Sequence, residues 1–365
     1  MEISLCMIVK NEEKVLGRCL ESIKNVVDEI VIVDTGSTDK TKEIARKYTD
    51  KVYDFVWQDD FSAARNYAFS KGQKDYLMWL DADDVLAPKD AKALKQLKRK
   101  ALKDVCVIMM PYDIAFDGQG NPTFTYYRER IIKKDCGMKW EGAIHEEIAP
   151  KGKILYTKIS VQHRKEQVAD PDRNLRIFEK LIQKNGLLDP RQQFYYAREL
   201  YYHQRYQEAE LVLEKFLNSG LGWIENCIEA CRCLADCRRA MGDQDGALKA
   251  LLQSFCYDLP RAEVCCEIGW YFFQKKQWEK AAYWYQIATK CKKHDRSGAF
   301  VQTDYYEYIP YMQLCVCYDK MGNWKLASAF NEKAGKKKPN DPAYLHNRAY
   351  FNSVLQSKEN EGIQL

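Results

Sequence analysis

The sequence lacks three features: a strong excess of one charge, a long hydrophobic run, and cysteines spaced as zinc modules require. Its 365 residues include 57 basic and 52 acidic side chains, which gives a formal net charge of +5. This excess is mild and dispersed, so nothing indicates a face that binds nucleic acid. No apolar span is long enough to cross a bilayer, and we therefore expect no integral membrane association.

The fourteen cysteines bear on the redox compartment. No C-x-x-C pair is matched by a second one at zinc-finger or zinc-ribbon spacing. Several cysteines instead recur at helical spacing within apolar stretches, as Cys231, Cys233 and Cys237 do, which is typical of buried free thiols. No charged leader precedes the first strand pattern, so a secreted disulfide framework is not expected. The sequence therefore predicts a cytoplasmic protein with reduced cysteines.

The first third of the chain alternates short apolar runs with amphipathic stretches, which predicts βαβ units on a parallel sheet. Strands are expected at 3–9, 29–34, 51–56 and 76–80, with a helix at 61–71. Asn11 is in position to cap a helix between the first two strands. Further strand patterns at 105–110, 124–132 and 154–161 lack regular helical interruptions, and they predict a mixed continuation of the sheet.

From about residue 170 the strand signals stop and a helix-turn-helix unit recurs. Each unit has a small residue in its first helix and an alanine twelve positions later. The pairs are Ala197/Ala209, Ala235/Ala247, Gly269/Ala281 and Cys315/Ala327. The final spacing is longer and predicts an inserted loop near 294–306. This pattern resembles the tetratricopeptide repeat, although an irregular helical bundle remains an alternative. The predicted organisation is an α/β domain over 1–168, helical repeats over 169–355 and a tail over 356–365.

Acidic residues stand where three predicted strands end. Asp34 closes the second strand, Asp59-Asp60 follows the third, and the fourth ends in Asp81-Ala82-Asp83-Asp84. Open α/β sheets bind ligands at this edge, where hard carboxylate oxygens suit Mg²⁺ or Mn²⁺. Arg65, in the helix that follows, is placed to reach a phosphate or ribose. A solvated acidic turn that caps the next helix is the alternative for D-x-D alone.

Four segments together resemble family 2 glycosyltransferases, over about residues 1–165. They are SLCMIVKNEE (4–13), VDTGSTD (33–39), ARN (64–66) and LDADD (80–84). The resemblance implies a Rossmann-like GT-A fold and a nucleotide-sugar donor, with UDP preferred by family tendency. It further implies that Asn11, Glu12 and Asp34 line the nucleoside pocket and that Asp81 faces the ribose and sugar. By the same resemblance, Asp83 would bind the metal, and His163 could join it.

The segment WEGAIHEE (140–147) resembles the acceptor side of the same family, whose members invert anomeric configuration. An inverting reaction needs a general base near the attacking group. Glu146 is the first choice and His145 the second, while a structural role remains open for His145 and for His163. Trp140 either stacks on a sugar or packs in the core.

A family 2 domain followed by such repeats resembles bacterial sublancin-type peptide S-glycosyltransferases. The resemblance implies transfer of a hexose or N-acetylhexosamine to a peptide or protein that the repeats recruit, and it allows a homodimer. Two alternatives remain: a lipid-linked or polysaccharide acceptor in envelope synthesis, and a non-catalytic repeat scaffold. A nucleotidyltransferase is disfavoured because KNEE (10–13) stands where a glycine-rich pyrophosphate loop would follow the first strand.

Overall fold

The computed structural model describes residues 1–100, 102, 104–166, 170–294 and 297–360. The chain divides into two compact units, Met1–Leu188 and Asp189–Leu365. The sequence analysis placed this division at 168, whereas a helix at Arg173–Asn185 lies with the first unit. Of the tail expected at 356–365, residues up to Asn360 continue the last helix, and 361–365 lie outside the described residues.

The first unit alternates strands and helices up to residue 98 and continues mainly as strands. Its strands are β1 Ile3–Val9, β2 Glu29–Asp34, β3 Val52–Asp54, β4 Tyr76–Met78, β5 Asp84–Val85, β6 Val105–Phe116, β7 Pro122–Lys133, β8 Lys153–Tyr156 and β9 Val161–His163. Its helices are α1 Leu16–Ile23, α2 Thr41–Arg46, α3 Phe61–Lys71, α4 Pro88–Lys98 and α5 Arg173–Asn185. These bounds agree with the expected positions of β1, β2 and α3.

The sheet is mixed, as predicted. Its strands lie in the order β3-β2-β1-β4-β7-β6-β9-β5, and β8 also pairs with β6. Strands β3, β2, β1 and β4 are parallel, whereas β7 runs antiparallel to both β4 and β6. Strand β1 is buried on both faces, which explains its continuous apolar sequence. Leu5 and Met7 belong to one core cluster and Cys6 to the cluster on the opposite face, as strand alternation requires.

The second unit consists almost entirely of helices. They are α6 Pro190–Tyr202, α7 Tyr206–Ser219, α8 Ile224–Ala240, α9 Gln244–Gln253, α10 Ala262–Gln274, α11 Trp278–Ala288, α12 Asp304–Glu307, α13 Ile309–Lys320, α14 Trp324–Gly335 and α15 Pro342–Asn360. A two-residue strand, β10 Val301–Gln302, precedes α12. The predicted insertion is therefore confirmed: it lies between α11 and α13.

The small-residue pairs lie where the two helices of each unit cross. All eight residues are buried, Gly269 among them. A Cβ on Gly269 would come within 2.9 Å of the Tyr285 ring, so the α10–α11 crossing needs glycine there. The tetratricopeptide-like arrangement predicted from the sequence is confirmed.

The fourteen cysteines, all within the described residues, are free thiols. Burial raises the pKa of Cys231 and of Cys317 to about 12, which fits small apolar side chains rather than reactive thiols. Within the described part of the chain, no helix combines the length and apolar character needed to cross a membrane.

Candidate active site

Asp34 ends β2 at the carboxyl edge of the sheet, where its side chain is fully buried. Its Oδ1 accepts hydrogen bonds from the backbone N–H of Gly36 at 2.9 Å and of Ser37 at 2.8 Å. The Lys42 ammonium lies 3.8 Å from the same oxygen. Oδ2 is buried and has no hydrogen-bond partner among the described residues. A buried carboxylate oxygen without a donor is costly, so Asp34 is suited to accept a hydrogen bond from a ligand.

Asn11 joins the loop after β1 to the loop after β2. Its backbone has a φ of +55°, its N–H donates to Ser37 Oγ at 2.9 Å, and its Oδ1 accepts from the Thr38 N–H at 2.8 Å. The expectation that Asn11 caps the next helix is wrong, because α1 begins only at Leu16 and the side chain is used across the two loops. Asn11 therefore shapes the rim around Asp34.

Glu12 lies near the carboxylates of the D-x-D segment. Burial, followed by the negative charges of Asp83 and Asp81, raises the pKa of Glu12 to about 7. Its backbone N–H donates to Thr41 Oγ1 at 2.7 Å, which fixes the loop after β1 against the start of α2. The structure thus places Glu12 on the side of Asp81 and Asp83, where a cation would relieve the repulsion.

Arg65 joins two of the predicted site residues. Its Nη2 donates to Asp81 Oδ1 at 2.7 Å and its Nε to Glu146 Oε1 at 2.5 Å. The guanidinium carbon also lies 4.9 Å from the ring centres of both Trp79 and Trp140. Although burial opposes charge on Asp81, Arg65 and then Arg130 lower the pKa of Asp81 to about 2. The structure therefore brings Asp81, Arg65 and Glu146 together in one cluster joined by the guanidinium.

The loop that carries Glu146 is held at both ends. Glu141 and Glu147 exchange two backbone hydrogen bonds, of 2.9 and 3.1 Å, and so close the loop. At its base, the Asn66 side chain donates to the Trp140 carbonyl and accepts from the Trp140 N–H, both at 2.9 Å. These contacts aim Glu146 at Arg65 without any regular secondary structure.

His145 and Trp140, the other candidates in this loop, take part in packing. The His145 ring stacks on Phe178 of α5, with the ring centres 6.1 Å apart. Trp140 is only 2% exposed and packs edge-to-face with Trp79 and Phe69. Of the two interpretations left open for Trp140, the structure shows core packing, because a ring so buried offers no face to a sugar.

Asp83, Asp84 and His163 form a cluster in which one potential ligand atom from each residue lies within 4.8 Å of the others. His163 Nδ1 is 3.3 Å from Asp83 Oδ1. Burial disfavours charge on the imidazole, but hydrogen bonds to Asp83 and Asp84 outweigh it and raise the pKa of His163 to about 10. Strands β5 and β9 create this pairing, since Asp84 lies directly opposite His163 in the sheet.

The members of this cluster differ in how free they are to bind an ion. Both oxygens of the fully buried Asp84 are used: Oδ1 accepts from the Tyr112 hydroxyl at 2.8 Å and Oδ2 from Arg130 at 3.0 Å. The side chains of Asp83 and His163 are about one-fifth exposed. The Asp83 carboxylate suits Mg²⁺ or Mn²⁺, and the His163 imidazole suits a transition-metal ion such as Mn²⁺ better than Mg²⁺. Asp83 and His163 are therefore able to hold an ion, and Asp84 fits a supporting role.

Sequence reasoning missed Arg130, Tyr112 and the clamping role of Asn66. Arg130 is completely buried, and its guanidinium carbon lies 3.8 Å from the Trp79 ring centre and 4.2 Å from that of Tyr112. The available signal was a charged residue at a strand position whose neighbours Ile131 and Ile132 are apolar. A buried arginine at this position requires a buried carboxylate as its partner, and the acidic segment LDADD (80–84) was the available source of one.

Comparison with known proteins bears on this arrangement. Residues 4–150 match the model of glycosyl transferase family 2. The sequence resemblance to family 2 glycosyltransferases is thereby confirmed for this region. The SPbeta prophage-derived glycosyltransferase SunS of Bacillus subtilis is 25% identical over 230 residues, which are 60% of this chain and 53% of SunS.

Two further similarities are also partial. The TPR repeat-containing protein Synpcc7942_0270 of Synechococcus elongatus is 48% identical over 85 residues, 23% of this chain and 21% of that protein. The solved structure of S. aureus TarS 1–349 is 15% identical, with a TM-score of 0.38, over 69% of this chain and 90% of that one. The chain spans a fifth to about half of the length of the curated relatives named here.

Proposed function

We propose that this chain is a metal-dependent, inverting glycosyltransferase that moves a hexose or N-acetylhexosamine from a UDP-sugar to a peptide or protein. The observation that carries the proposal is the set of carboxylates at one sheet edge. Asp34 keeps an unpaired oxygen, Asp81 and Glu146 share Arg65, and Asp83 faces His163. A solvated acidic turn would not hold Asp81 and Glu146 on one arginine or set Asp83 against His163.

The nucleoside would bind beside Asp34. The imide N–H of uracil and the ribose hydroxyls are donors that can pair with Asp34 Oδ2, the atom that has no donor among the described residues. A guanine or thymine nucleotide also offers such donors, so the preference for UDP rests on the family resemblance. In this proposal Asn11 shapes the pocket rim and Glu12 lies on its metal-facing side.

Asp83 and His163 would hold Mg²⁺ or Mn²⁺, which supplies charge neutralisation for the diphosphate leaving group. Asp84 would position His163 rather than bind the ion, because Tyr112 and Arg130 already hydrogen-bond to its two oxygens. Asp81, kept ionised by Arg65, would accept hydrogen bonds from the ribose or the sugar. Each role follows from the partners that these side chains already have.

Glu146 would act as the general base on the acceptor side, with Arg65 setting its position. His145 is the weaker candidate, because its ring stacks on Phe178. Arg65 competes with the acceptor for Glu146, which limits how readily Glu146 removes a proton. A thiol acceptor would need less help from this base, because a thiol is partly ionised near neutral pH. The partial similarity to SunS supports a peptide acceptor recruited by the repeats, in a protein that works in the cytoplasm and has no nucleic-acid partner.

The test is a donor screen with purified protein, Mn²⁺ or Mg²⁺, and UDP-, GDP- and dTDP-sugars, read as released nucleotide. Asp83→Asn should abolish turnover of the preferred donor, whereas Asp117→Asn should retain it. Asp117 is the control because it undergoes the same Asp-to-Asn change in the β6–β7 turn, where its Oδ1 accepts two backbone N–H groups. If no donor is bound or turned over, the catalytic proposal fails and the repeat scaffold is favoured. Transfer only to a lipid-linked or polysaccharide acceptor would overturn the peptide part.

A further inference from the structure

The insertion between α11 and α13 lies across the repeats rather than projecting from them. We call its residues 297–306 the strap. Within the second unit, the strap contacts α6 through Arg198 and α10 through Glu263, which are the first helices of two pairs. It also contacts Trp223, the residue directly before α8, the first helix of the pair between them. Repeat proteins of this kind present such a row of helices to their ligands.

The first half of the strap contacts two large side chains. Gly298 has a φ of +85°, and a Cβ there would come 2.7 Å from the Trp223 ring, so its backbone lies directly against the indole. The Phe300 ring lies 5.0 Å from the guanidinium carbon of Arg198. An indole offers apolar surface to a backbone, and a guanidinium is attracted to an aromatic ring, so both contacts can hold an extended chain.

The second half is bound through its backbone. The N–H of Gln302, in β10, donates to Glu263 Oε1 at 3.0 Å, and the Tyr306 hydroxyl also hydrogen-bonds to Glu263. Glu263 is only 3% exposed. Val301, between these contacts, is 3% exposed and belongs to the core cluster of α10, α11 and α13. The strap therefore offers a backbone donor and alternating buried side chains, the features by which extended peptides are recognised.

We propose that the row formed by α6, α8 and α10 is a binding site for an extended polypeptide, and that the strap is its intramolecular occupant. A competing segment needs three features. It needs a free backbone N–H that can donate to Glu263, an aromatic residue two positions earlier that packs on Arg198, and a glycine that lies against Trp223. An incoming polypeptide that meets these requirements displaces the strap. The inference rests on the proposed function only in naming the acceptor as that polypeptide.

The strap can be replaced by a linker because residues on either side of it lie close together. Lys293 and Glu307, which flank it, form an ion pair, so a short glycine-serine linker can replace residues 295–306. The probe is a fluorescent peptide of residues 297–306, titrated by anisotropy into the intact chain and into the strap-deleted chain. No donor or turnover is involved, so the result does not depend on the glycosyltransferase proposal.

The strap-deleted chain should bind the peptide at least tenfold tighter than the intact chain, where the attached strap competes. A peptide with Gln302→Pro, which lacks the N–H, should bind at least tenfold more weakly, and one with Phe300→Ala several-fold more weakly. Equal binding of the probe by both proteins would overturn the proposal, as would no binding by a strap-deleted chain with intact helical circular dichroism.

A second variant covers the case in which the deletion impairs folding. Phe300→Ala with Gln302→Pro in the intact chain loosens the strap while keeping the rest of the insertion. This variant should bind the probe several-fold tighter than the parent, and hydrogen exchange of residues 297–306 should accelerate. A variant that stays folded and shows neither change would contradict the proposal.

Discussion

Asp34→Asn should sharply weaken nucleotide binding while leaving the fold intact. The turn after β2 donates two N–H groups to Oδ1, at 2.9 and 2.8 Å. An asparagine must place its carbonyl oxygen there, because an NH₂ group cannot accept those bonds. The NH₂ group then occupies the position of Oδ2, the atom without a partner among the described residues. The substitution thus converts the unpaired acceptor, which the proposal assigns to the nucleoside, into a donor.

The magnitude follows from the contact that is lost. A hydrogen bond to a charged group contributes about 1.5–3 kcal/mol, which corresponds to about a 10- to 150-fold change in affinity. Because the new NH₂ group would face a donor of the nucleotide, we expect the loss of affinity to lie towards the upper end of this range. Stability should fall little, because the substitution keeps both turn hydrogen bonds and removes a fully buried charge.

Isothermal titration of UDP in the presence of Mn²⁺ measures the effect, with thermal unfolding of the same samples as the check on folding. Asp117→Asn is the control, since it makes the same chemical change at a turn that also relies on two backbone donors. A dissociation constant for Asp34→Asn within threefold of the parent, in a protein of unchanged melting temperature, would refute the assignment of Oδ2 to the nucleoside.

Three further predictions concern other contacts. Arg65→Met leaves the Asp81 and Glu146 carboxylates without their cation, so the free energy of unfolding in urea should fall by about 3–5 kcal/mol. Adding Glu146→Gln to this variant should recover part of the lost stability. Strictly additive losses would argue against the pairing. Asn66→Asp places a carboxylate oxygen against the Trp140 carbonyl oxygen and so releases the Glu146 loop. Turnover of the sugar donor should fall at least tenfold, while the affinity for UDP stays within threefold of the parent. Equal losses of turnover and UDP affinity would contradict this. Burial, and then a neighbouring glutamate, raise the pKa of Asp236 to about 6, above an unfolded value of about 3.9. The charge of Asp236 therefore destabilises the fold above pH 6 and ceases to do so as the pH falls towards 4. Asp236→Asn should accordingly raise the melting temperature at pH 7.5 but not at pH 4. An equal gain at both pH values would show that the buried charge is not the cause.

Local sequence information was sufficient for the features set by a single strand or helix pair. The apolar runs of β1 and β2 and the Gly36 turn indicated where Asp34 would lie, because a parallel strand must end at the sheet edge that its neighbours share. The small-residue spacing located the helix crossings for the same reason, since both partners stand within twelve residues of one another.

Contacts made between distant strands could not be anticipated in the same way. Arg130 meets Asp84 across 46 residues, and Tyr112 meets His163 across 51, through strand pairings that no local pattern encodes. The path of the strap was likewise hidden, because a length excess predicts an insertion but not the surface on which it packs. The position of α5 within the first unit depended on the contacts of its side chains there, among them Phe178 against His145.

Arg65 connects the two halves of the proposed reaction. One guanidinium holds both Asp81, which the proposal assigns to the donor, and Glu146, which it assigns to the acceptor. Its guanidinium packs against both Trp79 and Trp140, which restricts its movement away from either carboxylate. A donor that hydrogen-bonds to Asp81 draws negative charge away from Arg65 and leaves the cation more strongly committed to Glu146. The proposed general base Glu146 would then be a weaker proton acceptor, which favours a nucleophile that is already partly ionised, as a peptide thiol is.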